Sequence, residues 1–147
     1  MITRTATARY EGVGKDGRGT LSTQSGVLDG QRYGFASRFE DGPGTNPEEL
    51  IAAAHAGCFT MALSFALAKA GAADATLETE ARVKLDKEGE GFRVTRSDLR
   101  LAASVPGMDA DEVRRLAEEA KANCPVSKAL NAEMTLEVDV REGAPAG

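Results

Sequence analysis

An α+β fold with mostly antiparallel sheet is what the sequence predicts, and three observations carry it. Alternating apolar and polar stretches come in adjacent pairs, as hairpins, rather than singly between helices. One long uncharged run, residues 51–68 (IAAAHAGCFTMALSFALA), opens with a strong helix start, and a second helix with one apolar face follows later. The 147 residues, 41% apolar and 28% charged, suffice for one core and would leave two halves too small for their own. A single domain is therefore expected, with the order β-β-β-α-β-β-α-β.

Residues 2–10 alternate and predict a strand, and residues 12–19 (GVGKDGRG) predict a turn-rich loop. Residues 20–28 and 32–39 predict a hairpin turning at Asp29-Gly30, and residues 40–44 (EDGPG) break the chain. Asn46 is then placed to cap a helix, with Pro47 at its first position and Glu49 at the capping-box position. That helix should run to about Lys69 and stop near Gly71. In residues 76–87, Leu77, Thr79, Ala81, Val83 and Leu85 share a face. Residues 87–91 (KEGEG) turn the chain into residues 92–105, whose alternation changes phase, predicting a bulge near 96–98. Pro106-Gly107 ends that strand. Asp109 caps a second helix whose apolar face is Val113, Leu116, Ala117 and Ala120. Residues 123–125 interrupt it, 126–130 add a further turn, and a last strand carries Met134, Leu136, Val138 and Val140 on one face. The tail, residues 141–147 (REGAPAG), is expected to fray.

The uncharged run is long enough to suggest a membrane span. It is rich in Ala, however, contains His55, Gly57, Thr60 and Ser64, and is flanked by Glu48, Glu49 and Lys69. It predicts a helix buried on nearly all sides in a soluble protein. So short a chain offers little to cover such a helix, and a dimer burying it at its centre would supply the rest. Aromatics are only 5% and Trp is absent, so the core must come mainly from Ala, Leu and Val. The net charge of −5 and the lack of any basic run argue against nucleic acid. The first ten residues (MITRTATARY) show no signal-peptide core, so a cytoplasmic location is the expectation.

Cys58 and Cys124 stand 66 positions apart, without CxxC or four-ligand zinc spacing. They are either buried inert thiols or a reactive pair brought together by the fold. Cys124 precedes Pro125 at the predicted start of a short helix, where backbone N–H groups favour a thiolate. His55 lies one turn before Cys58. It can lower the thiol pKa or begin a metal site, but two thiols and the only imidazole are few ligands. Packing, or a hydrogen bond beside the site, is the simpler role.

Residues 45–64 (TNPEELIAAAHAGCFTMALS) and 123–130 (NCPVSKAL) resemble the two cysteine motifs of the OsmC/Ohr family, the osmotically inducible protein C and organic hydroperoxide resistance proteins. Residues 22–28 (STQSGVL) and 33–39 (YGFASRF) are closer to the OsmC branch. The resemblance covers about residues 8–140. It implies an OsmC-like fold, with antiparallel sheets wrapped around a central buried helix in an intertwined homodimer. It implies a thiol-dependent peroxidase acting on organic hydroperoxides and on hydrogen peroxide, in an oxidative stress response. By position, Cys58 would be the peroxidatic and Cys124 the resolving cysteine. Glu48 matches the motif glutamate and Arg38 the OsmC-branch arginine. Arg18, in the glycine-rich early loop, is the fallback.

These residue types suit the chemistry. A thiolate attacks where a thiol does not, and an arginine supplies the required positive charge without titrating. Glu48 would orient the Arg38 fork through a bidentate pair. Peroxide would convert Cys58 to a sulfenic acid, Cys124 would condense with it to a disulfide, and an external dithiol, such as a lipoyl-bearing protein, would reopen it. No haem, flavin or metal is implied. Ten helical residues span ~15 Å, so Glu48 and Cys58 cannot touch along one straight helix. A site shared across a dimer is expected. Two other readings remain: a non-catalytic, stress-associated dimer that binds a small molecule, and a thiol hydrolase using Cys58 and His55. The hydrolase has no third group to orient His55 and no need of Cys124.

Overall fold

The structure, a computed structural model, describes residues 1–141; beyond Arg141, the expected tail lies outside the described residues. The chain divides into two compact units, residues 1–50 and the residues from Ile51 onward.

The first unit is a three-stranded antiparallel sheet, β1 (Ala6–Glu11), β2 (Arg18–Thr23) and β3 (Gln31–Tyr33), in that order. The β2–β3 connection is a longer loop than the two-residue turn expected, closed by Thr23 N–H donating to the Leu28 carbonyl at 2.9 Å. A second departure matters more. Residues 35–39, expected to be strand, form a helical turn, α1 (Phe35–Phe39). Aromatic residues four apart share a face in a strand and in a helix alike, so Phe35 and Phe39 fit both, and their rings pack 5.2 Å apart here. Ser37 decides for the helix: its hydroxyl accepts from Gly34 N–H at 2.9 Å and donates to the Thr45 carbonyl at 2.7 Å. Gly44 then brings the chain past β3 with φ +110°, where a Cβ would stand 2.3 Å from the Arg32 carbonyl oxygen.

Helix α2 (Pro47–Lys69) begins as its cap residues require. Asn46 Oδ1 accepts from Glu49 N–H at 2.8 Å, and Asn46 Nδ2 donates back to the Ser37 carbonyl at 2.9 Å, tying α1 to this helix start. The Glu49 carboxylate accepts from the Thr45 hydroxyl at 2.7 Å instead of closing a capping box. The helix stops at Gly71, φ +96°, with Gly71 N–H on the Ala68 carbonyl and Ala72 N–H on that of Leu67, both orphan carbonyls thereby satisfied.

The second unit holds most of α2 and a sheet ordered β4 (Thr76–Glu88), β5 (Gly91–Ser104), β6 (Glu133–Val140). β4 and β5 form the expected hairpin, and the extra residue that shifts their register is Thr95, just before the expected 96–98. β6 pairs with β5 in parallel, a correction to an antiparallel sheet. Parallel neighbours need a crossover, and α3 (Ala110–Asn123) with α4 (Pro125–Ala129) supplies it. Asp109 occupies the N-cap of α3 but makes no side-chain cap bond.

One cluster forms this unit's core: Phe59, Leu63 and Leu67 of α2, Leu99, Leu101 and Ala103 of β5, and Val113, Leu116, Ala117 and Ala120 of α3. The flanking strands align on the same face, Ala81–Leu99–Leu136 and Thr79–Leu101–Val138. The expectation of an α2 buried on nearly all sides is corrected within one chain. α2 is long and apolar enough to cross a membrane, but only His55, Phe59, Leu63 and Leu67 are buried, every fourth residue along a single stripe. Met61 and Phe65 are exposed. Within its own unit, the described residues lay one sheet and the α3 face on it.

Candidate active site

In the first unit, the turn of α1 and the first turn of α2 bring Arg38 and Glu48 together. Arg38 Nε donates to Glu48 Oε1 at 3.0 Å and Nη2 to Oε2 at 3.1 Å, a bidentate fork. The guanidinium also lies over the Phe39 ring, 5.2 Å from its centroid. Glu48 is the more buried partner, so the carboxylate forms the fixed base from which Arg38 projects. Arg18, the fallback arginine, opens β2 opposite Glu11 and lines a cavity of about 560 Å³ with Lys15 and Arg32. The Glu48 fork goes to Arg38.

In the second unit, α2 presents Cys58 and the α3–α4 junction presents Cys124. The break at Cys124-Pro125 ends one helix and starts the next, so Cys124 is at once the last cap of α3 and the first of α4. The two thiols are reduced and close enough for each to shift the other's pKa. Cys124 is wholly buried, whereas Cys58 is partly exposed. Burial, with the neighbouring Cys124 thiol, raises the Cys58 thiol above its ordinary range, against a lowering effect of the Val126 backbone. Burial would raise Cys124 too, but the polar groups beside it, the Cys58 thiol first and then the amide and hydroxyl of Ser127 and the Val126 amide, bring it below the ordinary range. These thiols titrate as a pair, with the first negative charge favoured on Cys124.

His55 hydrogen-bonds to two serines. Its Nδ1 lies 2.6 Å from Ser97 Oγ and its Nε2 2.8 Å from Ser127 Oγ, and burial lowers its pKa. Both ring nitrogens are thus engaged, which leaves neither for a hydrolase-type attack through Cys58. No cluster of three or more His, Cys, Asp or Glu side chains is placed to hold a metal among the described residues. The two serines escaped the sequence reading, although one signal was there. Ser97 stands in phase with Leu99, Leu101 and Ala103 on the core face of β5, a polar residue in an apolar row.

Residues 40–139 match the family model described as OsmC-like protein. The chain is 51% identical to the Peroxiredoxin OsmC of Escherichia coli (strain K12) over 134 residues, covering 91% of this chain and 94% of that one. It is 30% identical to the organic hydroperoxide resistance protein OhrB of Bacillus subtilis, covering 84% of this chain and 89% of that one. The crystal structure of OhrB superposes with a TM-score of 0.70, over 94% of this chain and 98% of that one.

Proposed function

Because this chain belongs to the OsmC-like family and is a thiol-dependent peroxidase, we propose that Cys58 is the thiol that reduces the hydroperoxide and Cys124 the one that closes the disulfide. The observation that carries the assignment is the adjacency of two thiols of unequal exposure. The Cys58 thiolate attacks one peroxide oxygen, an S–O bond forms, the O–O bond breaks, and the leaving alkoxide takes a proton to become an alcohol. Cys58 is then a sulfenic acid. The Cys124 thiolate attacks its sulfur, the S–S bond forms, and hydroxide leaves with a proton as water. A dithiol reductant, a lipoyl-bearing protein or similar, restores both thiols by exchange.

Cys58 needs a cation, since its surroundings hold the thiol protonated. Arg38 is our assignment, with Glu48 setting the direction of its fork. The working enzyme is a cytoplasmic homodimer in which a second copy covers the open face of α2, where Met61 and Phe65 stand exposed beside an open groove of about 570 Å³. Each site then draws residues from both chains. A scattering curve showing a monomer that is fully active would overturn the shared site.

Arg38→Lys keeps the charge but loses the fork and its two bonds to Glu48. We expect kcat/KM for tert-butyl hydroperoxide to fall about tenfold to a hundredfold, as for a lost hydrogen bond between charged groups. Initial rates measured beside a melting curve check it. The decisive experiment adds one equivalent of tert-butyl hydroperoxide to the reduced chain and follows free thiols and intact mass. Loss of both thiols supports the reading. If both survive excess peroxide, the chain instead uses its fold to bind a small molecule without catalysis.

A further inference from the structure

His55 is fully buried and takes no part in the reaction above, yet it stands in line with it. Ser97, His55 and Ser127 form one hydrogen-bonded series, and Ser127, one turn into α4, stands beside the Cys124 thiol, which in turn neighbours Cys58. Counting protons sets the direction of each bond. Burial favours the neutral imidazole, which carries a single N–H. Ser97 is fully buried, and its hydroxyl meets only His55 Nδ1 among the described residues. A proton that it did not donate there would be left unpaired in the core. Ser97 therefore donates to Nδ1, and the ring proton sits on Nε2. That N–H donates to Ser127 Oγ, so the Ser127 proton is free to point at the Cys124 sulfur.

We propose that His55 is a positioning residue for disulfide closure: locked in one tautomer by Ser97, it turns the Ser127 hydroxyl onto Cys124 and holds that sulfur as the attacking thiolate. The inference rests on the peroxidase reading above. It concerns only the second step, in which the Cys124 thiolate attacks the Cys58 sulfenic acid, the S–S bond forms, and the S–O bond breaks. The departing hydroxide takes up the proton that Cys124 gave away.

Rapid mixing of the reduced full chain with tert-butyl hydroperoxide, quenched for intact-mass analysis, resolves sulfenic acid formation from disulfide closure. Ser127→Ala should slow closure about tenfold, the effect of a lost hydrogen bond to a charged group, and so let excess peroxide carry more Cys58 to sulfinic acid. Ser127→Thr, which keeps the hydroxyl, should restore the rate. Ser97→Ala and His55→Phe touch neither sulfur and should slow closure in the same sense. If the wild-type chain forms no disulfide, the peroxidase reading fails and takes this one with it. If it does, and Ser127→Ala or His55→Phe closes at the wild-type rate, the relay alone is overturned. An equal loss in both steps would show a general loss of structure and would also overturn it.

Discussion

Cys58→Ser is expected to reduce hydroperoxide turnover to the uncatalysed background, whereas Cys124→Ser should still perform the first step once and stop as a sulfenic acid. The asymmetry needs argument, because the polar surroundings favour the first negative charge on Cys124, not Cys58. Acidity alone would reverse the roles. Access decides against that. Cys124 has no exposed surface, and an alkyl hydroperoxide cannot reach its sulfur without opening the core, while Cys58 is partly open. The more acidic, sheltered thiol is well suited to waiting as the resolving group, and Cys58 to being activated by a cation brought to it. Intact-mass spectrometry after one equivalent of peroxide checks the pair of variants. A sulfenic acid trapped in Cys58→Ser and absent from Cys124→Ser would reverse the assignment.

Phe59→Ala is expected to cost about 3–5 kcal/mol, the range for emptying a buried aromatic site. Phe59 is 0% exposed, between Leu63, the β5 row and the α3 face. Against a total stability of about 5–15 kcal/mol, this loss lowers the melting temperature by roughly 10 °C or more. Phe65, six residues on in the same helix, is 69% exposed. In an isolated chain, Phe65→Ala would change stability by no more than about 0.5 kcal/mol. Beneath a second copy it should approach the Phe59 value and make the melting temperature depend on protein concentration. Denaturant titrations of both variants at two concentrations separate the cases. A silent Phe65→Ala at all concentrations would sink the homodimer.

Much of this could be read from the sequence. Helix α2 was legible to both ends because its signals are local: Asn46, Pro47 and Gly71 each satisfy a backbone need within a turn of where they stand. The α3 face was legible for the same reason. The parallel pairing of β6 was not, since alternation in Met134, Leu136 and Val138 reports which face is buried but not which way the neighbouring strand runs. α1 was missed because period two and period four coincide at Phe35 and Phe39, and the deciding bond, from Ser37 to the Thr45 carbonyl, spans eight residues. At the site, the resemblance of residues 45–64 and 123–130 singled out both thiols, whereas their separation of 66 positions left inert thiols and a reactive pair equally open. The bonds of His55 were out of reach, because Ser97 and Ser127 stand 42 and 72 positions from it.

The 66 positions separating Cys58 and Cys124 tie chemistry to the lifetime of the chain. By the mechanism proposed above, each cycle would close and reopen a covalent loop of that length between α2 and the α3–α4 junction. Cross-linking such a loop removes about 4 kcal/mol of freedom from the unfolded ensemble. The oxidised chain should therefore open globally roughly a thousandfold less often than the reduced one. A protease that cuts only the opened chain would then consume the resting, reduced enzyme and spare the enzyme caught in mid-turnover. Limited digestion of the two forms, matched in concentration, measures the ratio; equal rates would show that the disulfide strains the fold as much as it restrains the unfolded chain.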